Sequence, residues 1–230
     1  MKDQLLSIII PAYNEEATVG KAVERVISVD IAKEILAVDD GSTDNTRKIL
    51  EELSRRYPGV VRIFHHDVNR GKGAAIRTAI PYVRGSAVII QDADLENDPN
   101  DIPRVVRPIM EGEAEVVFGS RVLGGGRFFN IYYLGGRFLS FVTNILYGTH
   151  ITDEPTCYKA FRTEVLKRMD LECTGFEFCP EVTAKVAKAG YEIKEVPISY
   201  NPRSSREGKK LRWKDGFTAL YTLLKYRFFG

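Results

Sequence analysis

Asp92-Ala93-Asp94 sets two carboxylates one residue apart, just past the apolar run at 87–90 and Gln91. In extended backbone alternate side chains share a face, so both acids can reach one cation. Such a pair suits a hard divalent ion, Mg2+ or Mn2+, which keeps waters and bridges substrate phosphates. A solvated acidic turn is the plain alternative for so short a motif. Arg70-Gly71-Lys72-Gly73 puts two cations and two glycines ahead of a helical pattern, where backbone N–H groups and the helix dipole favour phosphate. It lacks the P-loop spacing, and an ordinary glycine turn is its alternative. Asp39-Asp40-Gly41-Ser42-Thr43-Asp44 reads as a strand end and turn, with Ser42 or Thr43 capping the next helix. That arrangement leaves Asp40 spare for a base or ribose.

These residues need a scaffold, and the hydrophobic pattern supplies one. Short apolar runs at 5–10, 34–38, 60–64 and 87–90 predict strands buried on both faces. Helical spacing at 17–29, 43–57 and 73–83 alternates with them, which predicts an α/β fold with a mostly parallel sheet and right-handed crossovers. Ligands in such sheets bind beyond the carboxyl ends of the strands, where the polar motifs stand. Further on, 102–110 reads as a helix, 115–119 as a strand, 124–126 as a flexible glycine break, 177–189 as a helix and 191–198 as a strand. Residues 1–230 are expected to form one domain, 1–125 binding the donor and 126–230 shaping the acceptor side.

Bulk properties narrow the partners. With 230 residues, 44% of them hydrophobic, the chain can bury a two-sided core. Lys plus Arg (33) nearly balance Asp plus Glu (31), so the net charge of +2 gives no reason to expect nucleic acid. Cys157, Cys173 and Cys179 lack metal-ligand spacing and read as reduced thiols of a cytoplasmic protein. No run reaches the length of a membrane span. The aromatic segments 128–149 and 217–229 nevertheless suit either buried helices or a peripheral contact with the cytoplasmic membrane face or a membrane-protein partner.

Together, PAYNE (11–15), VDDGSTD (38–44), NRGKG (69–73), DAD (92–94) and GSR (119–121), in that order and spacing, resemble the family-2 glycosyltransferases. The likeness covers about the first 125 residues most strongly, and within the family the polyprenyl-phosphate mannosyl- and glucosyltransferases look most alike. The resemblance implies a GT-A (Rossmann-like) fold and an inverting transfer from a UDP- or GDP-sugar. It implies a donor held by Pro11, Ala12, Tyr13, Glu15, Val38, Asp40, Gly71, Lys72, Asp92, Ala93 and Glu96. It also implies a Mg2+ or Mn2+ cofactor on Asp92 and Asp94. In the polyprenyl-phosphate branch, arginines matching Arg121 and Arg137 bind the acceptor phosphate, and a late basic loop steadies the diphosphate. Here Arg203, Arg206 and Lys209 are its candidates, with a solvated surface as the alternative.

The chain departs from that branch at Glu96, where many relatives carry Gln, and at 153–161 (DEPTCYKAF). The membrane spans of some relatives are not expected to follow. A hydroxyl acceptor needs a general base, for which Asp153, Glu177 and Glu181 are the candidates; a phosphate acceptor is already ionised and needs none. Three other readings are a glycan or small-molecule hydroxyl acceptor, a sugar-phosphate nucleotidyltransferase and a non-catalytic nucleotide-sugar-binding module. PAYNEE lacks the glycine-rich opening of the nucleotidyltransferases, and the intact DAD and RGKG argue against loss of catalysis.

Overall fold

The computed structural model describes residues 4–125, 131–203 and 213–229. The expected strands form as β1 (Leu6–Ala12), β2 (Lys33–Asp39), β3 (Val61–His65) and β4 (Ala87–Ile90). Between them lie α1 (Val19–Ser28), α2 (Thr46–Arg56) and α3 (Lys72–Ala79). After β4 come α4 (Ile102–Met110), β5 (Val116–Ser120), α5 (Ile131–Tyr147), β6 (Lys159–Arg162), α6 (Thr163–Arg168), α7 (Phe178–Lys188), β7 (Ile193–Pro197) and α8 (Trp213–Phe228).

One seven-stranded sheet runs β3-β2-β1-β4-β6-β5-β7. All neighbours are parallel except β6, which is antiparallel to both β4 and β5. β1 lies inside the sheet, with Ile9 facing Leu36 on one side and Ile90 on the other. Its Ile8, Ile9 and Ile10 have no solvent exposure, because helices cover both faces. Each such burial contributes roughly 2 kcal/mol. α1 lays Val19, Ala22, Val23 and Val26 on the sheet at helical spacing.

Three expectations change. β6 has no strand-like pattern of its own, and its place between β4 and β5 makes it a strand. Neither Ser42 nor Thr43 caps α2, which begins at Thr46. Instead Ser42 Oγ accepts from the Asn14 N–H at 2.9 Å, and the Thr43 N–H donates to Asn14 Oδ1 at 2.8 Å. Thr46 Oγ1 accepts from the Glu15 N–H, and Asp44 takes the Glu16 and Thr46 N–H groups. The presumed cap is thus a latch between the loops after β1 and β2. Gly124 is also no flexible break, since a side chain there would strike the Ile198 carbonyl; Gly126 lies outside the described residues.

Candidate active site

The carboxyl ends of β1, β2 and β4 open into one cleft of about 1130 Å³. Its wall near β1 is Pro11, Ala12, Tyr13 and Glu15, and its floor is Asp92, Ala93 and Asp94. Asp40, Gly71, Lys72, Glu96 and Arg203 also line it, as do Arg121 and Arg137. Val38 is not part of the lining: its side chain is fully buried in the core beneath the sheet. Arg206 and Lys209 lie outside the described residues.

Several acids of this cleft already face cations. Lys72 Nζ sits 2.6 Å from Asp92 Oδ1 and 2.8 Å from Oδ2. Burial opposes both charges, but the pairing wins: it holds Asp92 below the usual carboxylate range and Lys72 above its ordinary value. Asp94 behaves oppositely. Burial, then repulsion from Asp92 and Glu96, pushes its carboxyl up to about 7. Arg203 partly offsets this, with Nη2 3.3 Å from Asp94 Oδ2 while the same guanidinium grips Glu15 through both oxygens at 3.0 and 3.1 Å.

That crowding of carboxylates is what a divalent cation would relieve. The donor set is all oxygen, as Mg2+ and Mn2+ prefer. Among the described residues no three His, Cys, Asp or Glu side chains are grouped so as to hold a metal by themselves. Asp92 and Asp94 therefore fit a cation whose remaining ligands are water and diphosphate rather than a closed protein cage.

The glycines of Arg70-Gly71-Lys72-Gly73 do different work from the phosphate cradle expected of them. A Cβ on Gly71, which adopts φ +96°, would collide with the Thr174 carbonyl, and one on Gly73 would lie 2.6 Å from Cys173 O. The N–H groups of Gly73 and Ala74 donate to the carbonyls of Gly175 and Thr174. Those of Arg70 and Gly71 donate to the Asp40 carboxylate at 2.9 and 2.8 Å. The turn is spent on packing two loops together, while the Lys72 side chain reaches the cleft. Asp40 is correspondingly not spare: it also meets His66 Nδ1 at 2.6 Å.

Across the cleft, Arg121 makes a two-pronged pair with Asp153, Nε to Oδ2 and Nη2 to Oδ1, both 2.7 Å. Burial would lower the Arg121 pKa, but Asp153 outweighs it and raises it. The guanidinium also lies 4.9 Å from the ring centre of Tyr200. The Tyr200 hydroxyl donates to Glu96, whose second oxygen accepts from the Arg203 N–H. Arg137 is exposed, with Nη1 3.1 Å from the Thr152 carbonyl. Glu195 fixes this corner by accepting from Thr152 N–H, Thr152 Oγ1 and Asp153 N–H.

The other two acids weighed as bases are structural. Glu177 accepts from the N–H groups of Thr174 and Gly175. Glu181 is fully buried and holds Glu172 N–H, Cys173 N–H, Lys185 and the Tyr226 hydroxyl. Sequence reasoning missed the Glu15–Arg203 pair, Tyr200 and Glu195, whose partners lie far away in sequence. It also missed Tyr158, whose buried hydroxyl binds Gln91 Oε1 at 2.5 Å, immediately before Asp92. All three cysteines are free, and Cys157 and Cys179 line the cleft.

Comparison with known proteins agrees with this architecture. The family described as Glycosyl transferase family 2 matches residues 7–170. A UDP-N-acetylglucosamine--dolichyl-phosphate N-acetylglucosaminyltransferase of Methanococcus voltae is 33% identical over 97% of this chain and 96% of its own. A polyprenol monophosphomannose synthase of Mycolicibacterium smegmatis is 31% identical over 89% of this chain and 82% of its own. Among solved structures, glucosyl-3-phosphoglycerate synthase of Mycobacterium tuberculosis, in complex with Mn2+, UDP and glucosyl-3-phosphoglycerate, superposes with a TM-score of 0.73. That match is 20% identical and covers 97% of this chain and 80% of the other. The fold is thus the GT-A glycosyltransferase fold, a sheet of mostly parallel strands with its cleft at their carboxyl ends. The chain belongs to glycosyltransferase family 2 and is a glycosyltransferase.

Proposed function

We propose that this glycosyltransferase moves a sugar, with inversion, from a UDP- or GDP-sugar to a polyprenyl phosphate, aided by Mg2+ or Mn2+. The observation that carries the acceptor class is the state of the late acids. Asp153, Glu177 and Glu181 are all committed to protein partners, so none of the three is free to take a proton from a hydroxyl. An ionised phosphate needs no such base. It needs cations, and Arg121 and Arg137 line the same cleft as the DAD motif. The named activities of the Methanococcus and Mycolicibacterium relatives support the same reading.

In this reading Pro11, Ala12 and Tyr13 wall the nucleoside, and Lys72 and Arg203 receive the diphosphate. Asp92 and Asp94 would hold the metal, which supplies charge to stabilise the departing nucleoside diphosphate. Arg121, kept in place by Asp153 and Tyr200, and Arg137 orient the acceptor phosphate for in-line attack on the anomeric carbon.

The acceptor would be met at a membrane surface. Among the described residues no helix is long and apolar enough to cross one. α5 instead exposes Leu134, Phe138, Phe141 and Ile145, and α8 exposes Phe217, Tyr221, Leu224 and Phe228, each set at helical spacing. Two neighbouring apolar stripes suit reversible insertion into a bilayer's interfacial region.

Nucleoside diphosphate release from UDP- and GDP-sugars tests the reading, with either metal, with and without polyprenyl phosphate. Release should need the lipid phosphate, stop on chelation, and fall about 10²- to 10³-fold in Asp94→Ala. Release stimulated only by hydroxyl acceptors would defeat the lipid assignment, and no metal-dependent release would defeat the cofactor assignment.

A further inference from the structure

β4 ends at Ile90, with Gln91 between it and the paired acids, and the Gln91 N–H still donates to the Ile9 carbonyl of β1 at 2.9 Å. Past that point the chain leaves the sheet, and Ala93 and Asp94 form a turn. The turn carries strain. Leu95 takes a φ of +64°, a left-handed conformation that crowds its Cβ against the backbone. A residue held in this way persists only where its surroundings fix it.

Side-chain ties fix it at both ends. At the far end the Glu96 N–H donates to Asp94 Oδ1 at 3.1 Å, and Glu96 is itself held by the Tyr200 hydroxyl and by the Asn201 and Arg203 N–H groups. At the near end the tie is buried. The Tyr158 hydroxyl donates to Gln91 Oε1 at 2.5 Å, and Gln91 Nε2 donates to the Asp92 carbonyl at 2.9 Å. With the amide turned the other way, its oxygen would face the Asp92 carbonyl, acceptor against acceptor, so the hydroxyl must be the donor. Burial pushes the Tyr158 hydroxyl well above its ordinary value and so keeps that proton in place. Tyr158 is fully buried and Gln91 is 1% exposed, which shields both bonds from bulk water. The Gly119 N–H of β5 donates to the Tyr158 carbonyl at 2.7 Å, anchoring the tyrosine to the sheet.

We propose that Tyr158, acting through Gln91, is a positioning residue that fixes the Asp92 backbone, and with it the spacing of Asp92 from Asp94, so that the two acids favour Mg2+ over a larger divalent ion. This rests on the metal reading above and adds the residues that set which ion the acids accept. Mg2+ demands near-ideal octahedral geometry at short distances, whereas Ca2+ accepts irregular sets of oxygens at longer ones. Two carboxylates on a slack turn would therefore lose Mg2+ first. Tyr158 touches neither the metal nor the substrate in this scheme; it acts by holding the amide that holds the turn.

The test reads binding rather than turnover. The full chain is titrated with UDP and with GDP by calorimetry, in saturating Mg2+, in saturating Ca2+ and in EDTA. Wild type is compared with Tyr158→Phe, which removes one oxygen, and with Tyr158→Phe combined with Gln91→Met, which removes the whole tie. For the nucleotide that binds wild type better, the Kd in Mg2+ should rise about fivefold in the first variant and about tenfold in the second. The Kd in Ca2+ should move less than about twofold in either. Tyr158→Phe leaves Gln91 Oε1 buried without a donor and should lower the unfolding temperature, and the double variant, which removes that orphaned atom, should recover part of the loss. Affinity and stability thus move in opposite directions between the two variants, which a purely structural role would not produce. A Kd in Mg2+ that recovers along with the unfolding temperature, that rises equally in Ca2+, or that stays within about twofold of wild type would overturn the positioning role and leave the metal reading intact. Wild-type nucleotide binding as tight in EDTA as in Mg2+ would overturn the metal reading and the positioning role with it.

Discussion

The two sides of the cleft are built differently. On the side proposed for the donor, short motifs at the ends of β1 and β2 are latched by side chains accepting from backbone N–H groups 29 to 31 residues away: Asn14 with Thr43, Thr46 with Glu15, Asp40 with Arg70 and Gly71. On the side proposed for the acceptor the guanidinium that would bind it is itself held by a carboxylate, over a similar separation of 32 residues. Arg121 depends on Asp153, and Asp153 on Glu195. Backbone latches make a rigid edge whose removal harms folding. Side-chain pairs make an adjustable wall whose removal harms recognition before it harms folding.

The sharpest way to break this contrast is Asp40→Ala, which strips a buried acceptor from two backbone donors and His66. Stability should fall by roughly 3 kcal/mol, read from urea unfolding. An unchanged midpoint would mean that the donor edge is not held by its latches. Asp153→Asn should act on recognition instead. It leaves Arg121 without its charged partner, so kcat/KM for the acceptor should drop about tenfold, roughly 1.4 kcal/mol, in steady-state kinetics. Donor KM should hold; if donor KM moves and acceptor KM does not, Arg121 belongs to the other side of the comparison. The smallest effect is expected outside the cleft. Phe141→Ser with Phe228→Ser should weaken flotation with anionic vesicles about threefold while detergent activity persists, since each stripe adds only part of a reversible anchor. Undiminished flotation would remove the apolar face from the membrane.

The donor side was largely legible in the sequence for the same reason that it is rigid. β1 to β4 announce themselves because strands covered on both faces read as unbroken apolar runs, and their polar ends mark the cleft. Chemistry at single positions was less legible. Two glycines flanking Lys72 signal close approach, but only the fold shows that the 173–175 backbone, not a ligand, fills the space. β6 was invisible because its four residues begin and end on cations, Lys159 and Arg162. That lysine is fully buried, its Nζ 2.5 Å from the Glu154 carbonyl and 3.7 Å from the centre of the Phe118 ring.

By itself, then, the sequence determined the α/β alternation, the register of polar motifs at strand ends and the paired carboxylates of Asp92 and Asp94. These follow from periodicity and turn chemistry within a few residues. Tertiary structure alone decided that Asp153, Glu177 and Glu181 are occupied, that Glu15 meets Arg203 across 188 positions, and that two apolar stripes lie exposed on adjoining helices. A carboxylate's role depends on which donors reach it in space, and those donors come from parts of the chain that only folding brings together.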